Sequence, residues 1–264
     1  MPGYWEPHTS SVDFCEPNYF LTHYVAEPHN TWSSLLITFI ASFGLLYGNP
    51  YNEWGIAMMY GVLSLIGIGS AGLHSTLHWV LQSSDEVPML WQTVSFLYVL
   101  VLLCYPQLPF GYQYLMGFGF TFLAVLQTVM YYRYQQTYAI FITSIVIYSI
   151  IIVLWTGSML REDIKADQRD IRWFLWRWAF ISYVLLGAGL WVVDMNLCSF
   201  LLPLYISTTG FTLHVFWHLF AGMGTYLIAT FLVAVRLQRA GKHAELKWVL
   251  PLIPVCVEKK YKTI

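Results

Sequence analysis

Charge is what this sequence has least of. Only 10% of its 264 residues are Asp, Glu, Lys or Arg, against roughly 25% in soluble domains. The first thirty residues hold no Lys or Arg and no apolar run, so no cleavable signal peptide is expected. Four cysteines are too few for a disulfide scaffold. A net charge of −1 exerts no strong pull on nucleic acid, and no nucleic-acid partner is expected. There is no convincing internal repeat and no low-complexity segment.

What the chain has instead is apolar surface. It is 58% hydrophobic, with a mean hydropathy of +0.57. A soluble core cannot hide that much, so the sequence reads as an integral membrane protein. Seven apolar segments lie at about 32–48, 54–77, 87–105, 112–132, 137–156, 174–195 and 212–235. Each is near the roughly 20 residues a bilayer core requires. Lipid satisfies no backbone groups, so each must be a helix. The expected fold class is an all-α membrane protein, a seven-transmembrane-helix bundle. The expected organisation is a polar N-terminal segment (1–31), the bundle (32–235) and a basic tail (236–264). In the tail, Trp248 to Val257 is apolar but too short to span, and reads as an interfacial stretch.

Orientation follows from where the cations fall. Of thirteen Lys and Arg, seven lie in the tail: Arg236, Arg239, Lys242, Lys247, Lys259, Lys260 and Lys262. Arg161, Lys165, Arg169 and Arg172 lie in the fifth loop, Arg177 sits just inside segment six, and only Arg133 falls on the other side. With seven spans, this places the N-terminus in the lumen and the C-terminus in the cytosol.

That topology gathers the polar residues. Ser70, His74 and His78 fall at the lumenal end of segment two, where helical spacing gives them one face. Asp85 and Glu86 fall at the start of segment three, Asp194 at the end of segment six, and His214 and His218 in the first turns of segment seven. Ionisable residues in spans are costly and usually functional. Three imidazoles plus an open position is the pattern of catalytic zinc. The metal would lower the pKa of a bound water to near 7 and polarise a carbonyl, with Asp85 taking the proton. Spacing does not choose between His74 and His78 as third ligand. Ser70 either steadies an oxyanion or packs helices among Gly67, Ala71 and Gly72. Asp194 reads as a helix-end residue. A cluster that merely bonds the helices together is the bland alternative.

Asp13, Glu16, Asn18 and Glu27 are hard oxygen donors with no cation nearby. They read either as Ca²⁺ ligands or as a solvated acidic segment. Cys15 and Cys198 share the lumenal side, where an oxidising compartment permits a bridge.

Five motifs then carry a resemblance. They are GYWEPHTSSVDFCEPNY (Gly3 to Tyr19), YVAEPHNT (Tyr24 to Thr31), GSAGLHSTL (Gly69 to Leu77), DEVPM (Asp85 to Met89) and HVFWHLFAGMG (His214 to Gly224). In this order they resemble the alkaline ceramidases, seven-helix intramembrane zinc amidases. The likeness runs from Gly3 to about Leu227 and is thin between Val101 and Trp191. It implies zinc on His74, His214 and His218, and catalytic roles for Ser70 and Asp85. It implies calcium on Asp13, the Phe14 carbonyl, Glu16, Asn18 and Glu27, and a disulfide between Cys15 and Cys198. The implied activity is calcium-regulated hydrolysis of the ceramide amide to a sphingoid base and a fatty acid, in the membrane of the endoplasmic reticulum or Golgi. Phe14 stands where the family usually has Trp, and His78 where it usually has Lys. SSDEVPM replaces LLDELPM, and HVFWHLFAG replaces HxWWHxLTG, departures that bear on substrate preference. The competing reading is a zinc-containing receptor of the progestin/adiponectin-receptor type, which has the opposite orientation.

Overall fold

The structure is a computed structural model and describes residues 3–259. Its helices are α1 (Pro28–Tyr47), α2 (Trp54–Thr76), α3 (Trp79–Cys104), α4 (Phe110–Tyr134) and α5 (Tyr138–Ser158). A continuous rod follows, made of α6 (Ala166–Phe180), a π-helical stretch (Ile181–Ala188) and α7 (Gly189–Ser207). Then comes α8 (Leu213–Arg239) and a hairpin of β1 (Ala244–Leu250) and β2 (Ile253–Glu258). Seven of these helical units, counting Ala166–Ser207 as one, are long and apolar enough to cross a membrane.

The bundle is built around α8, which packs against α1, α2, α3, α6 and the π-helical stretch. On α4, by contrast, only Tyr131 is buried. Phe118 and Phe122 there are 72% and 62% exposed, which suits a helix whose outer face meets lipid. Small residues bring helices into backbone contact. A Cβ on Gly69 of α2 would lie 1.9 Å from the Ser84 carbonyl oxygen of α3. Four residues on stands Pro88, which has no N–H to offer that carbonyl. The missing side chain and the missing donor thus coincide where α2 and α3 touch.

Three elements differ from the reading of the sequence. First, α3 begins at Trp79 rather than near 87. Its polar opening lies before the apolar run, but Ser83 and Ser84 bond back to the carbonyls of Trp79 and Val80 (2.9 and 3.2 Å), and Gln82 bonds Glu86 (2.8 Å). Leu77 ends α2 in the left-handed conformation (φ 53°, ψ 38°). His78 therefore opens α3 and does not share the Ser70–His74 stripe. Second, Asp194 lies inside α7, which runs on to Ser207 with a kink at Leu197. Third, the apolar stretch of the tail is the hairpin, with Leu246 opposite Cys256. Ile253, Val255 and Cys256 are buried, and Tyr226 of α8 donates to the Pro254 carbonyl (2.9 Å).

Candidate metal centre and its cavity

His74 comes from α2, and His214 and His218 from adjacent turns of α8, where i and i+4 share a face. One ligand atom from each lies within 4.8 Å of the others. All three side chains are buried. Among the described residues, this is the one group of three or more His, Cys, Asp or Glu drawn so close.

Two of the three imidazoles are held from outside the cluster. His74 Nδ1 faces Glu27 Oε2 at 2.5 Å, leaving Nε2 buried without a partner. Ser33 Oγ lies 3.1 Å from the Asn30 carbonyl, to which it can donate, and 2.7 Å from His218 Nδ1. With Nδ1 engaged there, Nε2 is the His218 nitrogen on the cluster side. His214 Nδ1 is buried and unpartnered. Buried polar atoms are nearly always bonded, so unpartnered ring nitrogens on converging histidines fit a metal ion. The Phe14 ring, centred 4.8 Å from that of His74 and 4.3 Å from that of His214, covers the group.

Ser70 stands one turn before His74. Its hydroxyl accepts from Ser34 (3.0 Å), lies 3.4 Å from His218 Nε2 and stands beside the Asp85 carboxyl across the Gly69 contact. Ser70, Asp85, His214 and His218 lie at the wall of one cavity of about 470 Å³. The rest of its wall is mostly apolar, with Met89, Phe96, Ile145 and Trp217 among its members. His78 is not on that wall.

The N-terminal segment packs beside the cluster. Glu16 accepts the His29 and Asn30 backbone N–H groups, both at 2.8 Å, and so caps α1 where donors are otherwise orphaned. Burial pushes its carboxyl up to about 8, against the lowering effect of those two bonds. Asn18 donates to Asp13 (3.1 Å). Asn18 Oδ1 and Glu27 Oε1 are buried without partners, and two spare oxygen acceptors suit a hard cation. Cys15 and Cys198 form a disulfide. Asp194 of α7 accepts from the Tyr205 hydroxyl (2.6 Å), and that hydroxyl in turn accepts from the Leu213 N–H (3.4 Å), so the pair sits at the start of α8.

Sequence reasoning missed Ser33, Ser34 and the Glu27–His74 contact. The signal available was a serine pair in the first turns of an otherwise apolar span.

A seven-span bundle with a buried histidine triad at the head of an apolar cavity defines a membrane protein with a candidate metal site. The family described as Ceramidase matches residues 6–257, and the chain belongs to it. Alkaline ceramidase 3 of Mus musculus is 29% identical over 96% of this chain and 93% of its own length. Putative alkaline ceramidase dcd3A of Dictyostelium discoideum is 27% identical over 98% of both. An alkaline ceramidase of Arabidopsis thaliana is 26% identical over 100% of this chain and 98% of its own. The chain is thus an enzyme, a hydrolase of the ceramidase class.

Proposed function

We propose that this enzyme hydrolyses the amide bond of ceramide, releasing a sphingoid base and a free fatty acid, with zinc held by His74, His214 and His218. The observation that carries the reading is the convergence of three buried imidazoles, two of them on the wall of an apolar cavity of about 470 Å³. When bound, zinc supplies Lewis acidity, lowering the pKa of water and polarising a carbonyl. Glu27 and Ser33 hold His74 and His218 in the tautomers that present Nε2. Asp85 takes the proton from the attacking water at a carboxylate oxygen and returns it to the leaving nitrogen. Ser70, beside Asp85, turns its hydroxyl toward the carbonyl oxygen as charge grows there. Phe14 keeps bulk water from the cluster.

Calcium is assigned to Asp13, the Phe14 carbonyl, Glu16, Asn18 and Glu27, where it orders the 1–31 segment and regulates turnover. The unpartnered Asn18 Oδ1 and Glu27 Oε1 support this. The 32–235 bundle is the catalytic domain and 236–264 a basic cytosolic tail, with the N-terminus in the lumen. The crowding of cations at the end away from the histidines supports that orientation; Lys260 and Lys262, which contribute to it, lie outside the described residues. A multi-pass position in the endoplasmic reticulum or Golgi membrane agrees with a disulfide on the histidine side. Nothing in the family match favours the receptor reading.

The test is incubation of purified protein with a ceramide panel, with and without chelator, read by mass spectrometry. Chelator-sensitive release of paired base and acid is expected. Intact ceramide in the presence of metal-loaded protein would overturn the reading.

A further inference from the structure

Down one face of α3, Asp85, Met89, Gln92 and Phe96 recur at helical spacing on the cavity wall. Asp85 belongs to the reaction, and Met89 and Phe96 make the wall apolar. Gln92 has no such account. It is 4% exposed, and neither its amide nitrogen nor its oxygen has a hydrogen-bond partner. Other polar side chains of the same wall are satisfied. Thr93 bonds the Leu90 carbonyl (2.7 Å), and Thr225 the Ala221 carbonyl (2.8 Å). A buried amide with both atoms unpaired is costly to keep, and such groups call for an explanation.

Gln92 lies two turns below Asp85, roughly 10 Å along the helix axis. Helical side chains lean toward the N-terminus of their helix, which brings the amide up from that depth toward the scissile bond. We propose that Gln92 is a specificity residue that hydrogen-bonds a hydroxyl carried on a hydrocarbon chain of the lipid substrate. An amide offers one acceptor and two donors, and a hydroxyl can satisfy both sides at once. A ceramide with only the hydroxyls on sphingoid carbons 1 and 3 that every ceramide carries leaves the amide unpaired in the complex; one with a further chain hydroxyl does not. The hydroxyl can belong to the sphingoid base or to the acyl group, and the chemistry of recognition is the same. The inference rests on the ceramide reading of the site.

Three ceramides of equal chain length test it: one with plain chains, one with an added hydroxyl on sphingoid carbon 4, and one with a hydroxyl on acyl carbon 2. The quantity is kcat/KM for each hydroxylated lipid divided by that for the plain one. The wild type should favour one hydroxylated lipid by roughly ten- to a hundredfold, the worth of one buried polar group left unpaired. Gln92→Met, nearly isosteric, should bring that ratio close to one, and the lipid whose ratio collapses identifies the chain. Gln92→Asn, one methylene shorter, should weaken it and serves if Gln92→Met does not fold. Gln127 of α4 is half-buried and its amide atoms are likewise unpartnered, but it is not on the cavity wall, so Gln127→Met should keep the preference. A wild type without preference, or a preference that survives Gln92→Met, overturns the inference. Failure to cleave all three lipids overturns the ceramide reading instead, and this one with it.

Discussion

The two ends of the bundle treat their polar groups in opposite ways. At the end away from the histidines, charges are joined. Arg172 bonds Glu162 (2.8 Å) and the Met159 carbonyl (2.9 Å), and Glu162 also pairs with Arg239. Arg236 meets Glu53 and Lys242 meets Glu258, both at 3.0 Å. Among the described residues, that end leaves Arg172 Nη2 as a buried atom without a partner. The histidine end leaves His74 Nε2, His214 Nδ1, Asn18 Oδ1, Glu27 Oε1 and Asp194 Oδ2. A protein stabilised by its own contacts has no reason to concentrate unpaired atoms at one end. Their concentration marks where something else completes the set.

The strongest way to break this contrast is to remove a triad member. His214→Ala should reduce bound zinc to background and abolish turnover; His74→Ala and His218→Ala should do the same. Metal analysis beside the lipid assay decides it, and full zinc occupancy with normal rates in His214→Ala would remove the basis of the contrast. His78→Ala, off the cavity wall, should keep both metal and activity.

Asp85→Asn separates metal holding from chemistry at the same end. Zinc should stay, while kcat falls by roughly 10²–10⁴-fold, the worth of general acid–base help. A rate within about twofold of wild type would assign the proton transfer elsewhere.

Gly69→Ala probes the contact that sets Ser70 against Asp85. The new methyl meets the Ser84 carbonyl, and overpacking of this kind costs about 1–3 kcal/mol. A lower melting temperature and a lower kcat with zinc retained are expected. Unchanged values of both would show that α2 and α3 can part without consequence.

The smallest effect should come from the other end. Burial raises the Glu162 carboxyl, but hydrogen bonds from Arg239 and Arg172 outweigh it and hold the group below its usual value of 4.5. A depressed folded value contributes stability above the unfolded pKa and loses it as pH falls through the folded one. Glu162→Gln should therefore cost at most about 1 kcal/mol near neutrality, discounted for exposure. It should flatten the acid side of the melting curve below about pH 4.5 and leave kcat intact. Loss of activity without loss of stability would mean that the two ends are not divided as described.

Much of this was legible in the sequence, for a physical reason. A lipid-facing helix must be apolar along its length, so the spans announce themselves, and polar residues within them stand out. The starts and ends of spans were less legible where polar residues are paired internally. Segment three looks as if it begins near 87 because the bonds that bury Gln82 to Glu86 in α3 are invisible in one dimension, and the end of segment six near 195 is misplaced for the same reason, since the partner of Asp194, Tyr205, lies eleven residues on. His78 looked equivalent to His74 until the left-handed turn at Leu77 removed it. The hairpin was missed because two short strands carry too little periodic signal. Gln92 gave no sign either, since a glutamine in an apolar helix ordinarily bonds a neighbouring helix.

The disulfide has a consequence for how the protein is made. Cys15 and Cys198 are 183 residues apart, so the bond closes a ring around α1 to α6 and most of the rod that follows. A ribosome adding about 5–20 residues per second takes roughly 10–40 s to travel that distance. Throughout that interval the amino-terminal segment has no covalent anchor, and His74 waits in the bilayer for partners not yet synthesised. Only when the last span is threaded do His214 and His218 arrive, so no shorter nascent chain can assemble the triad.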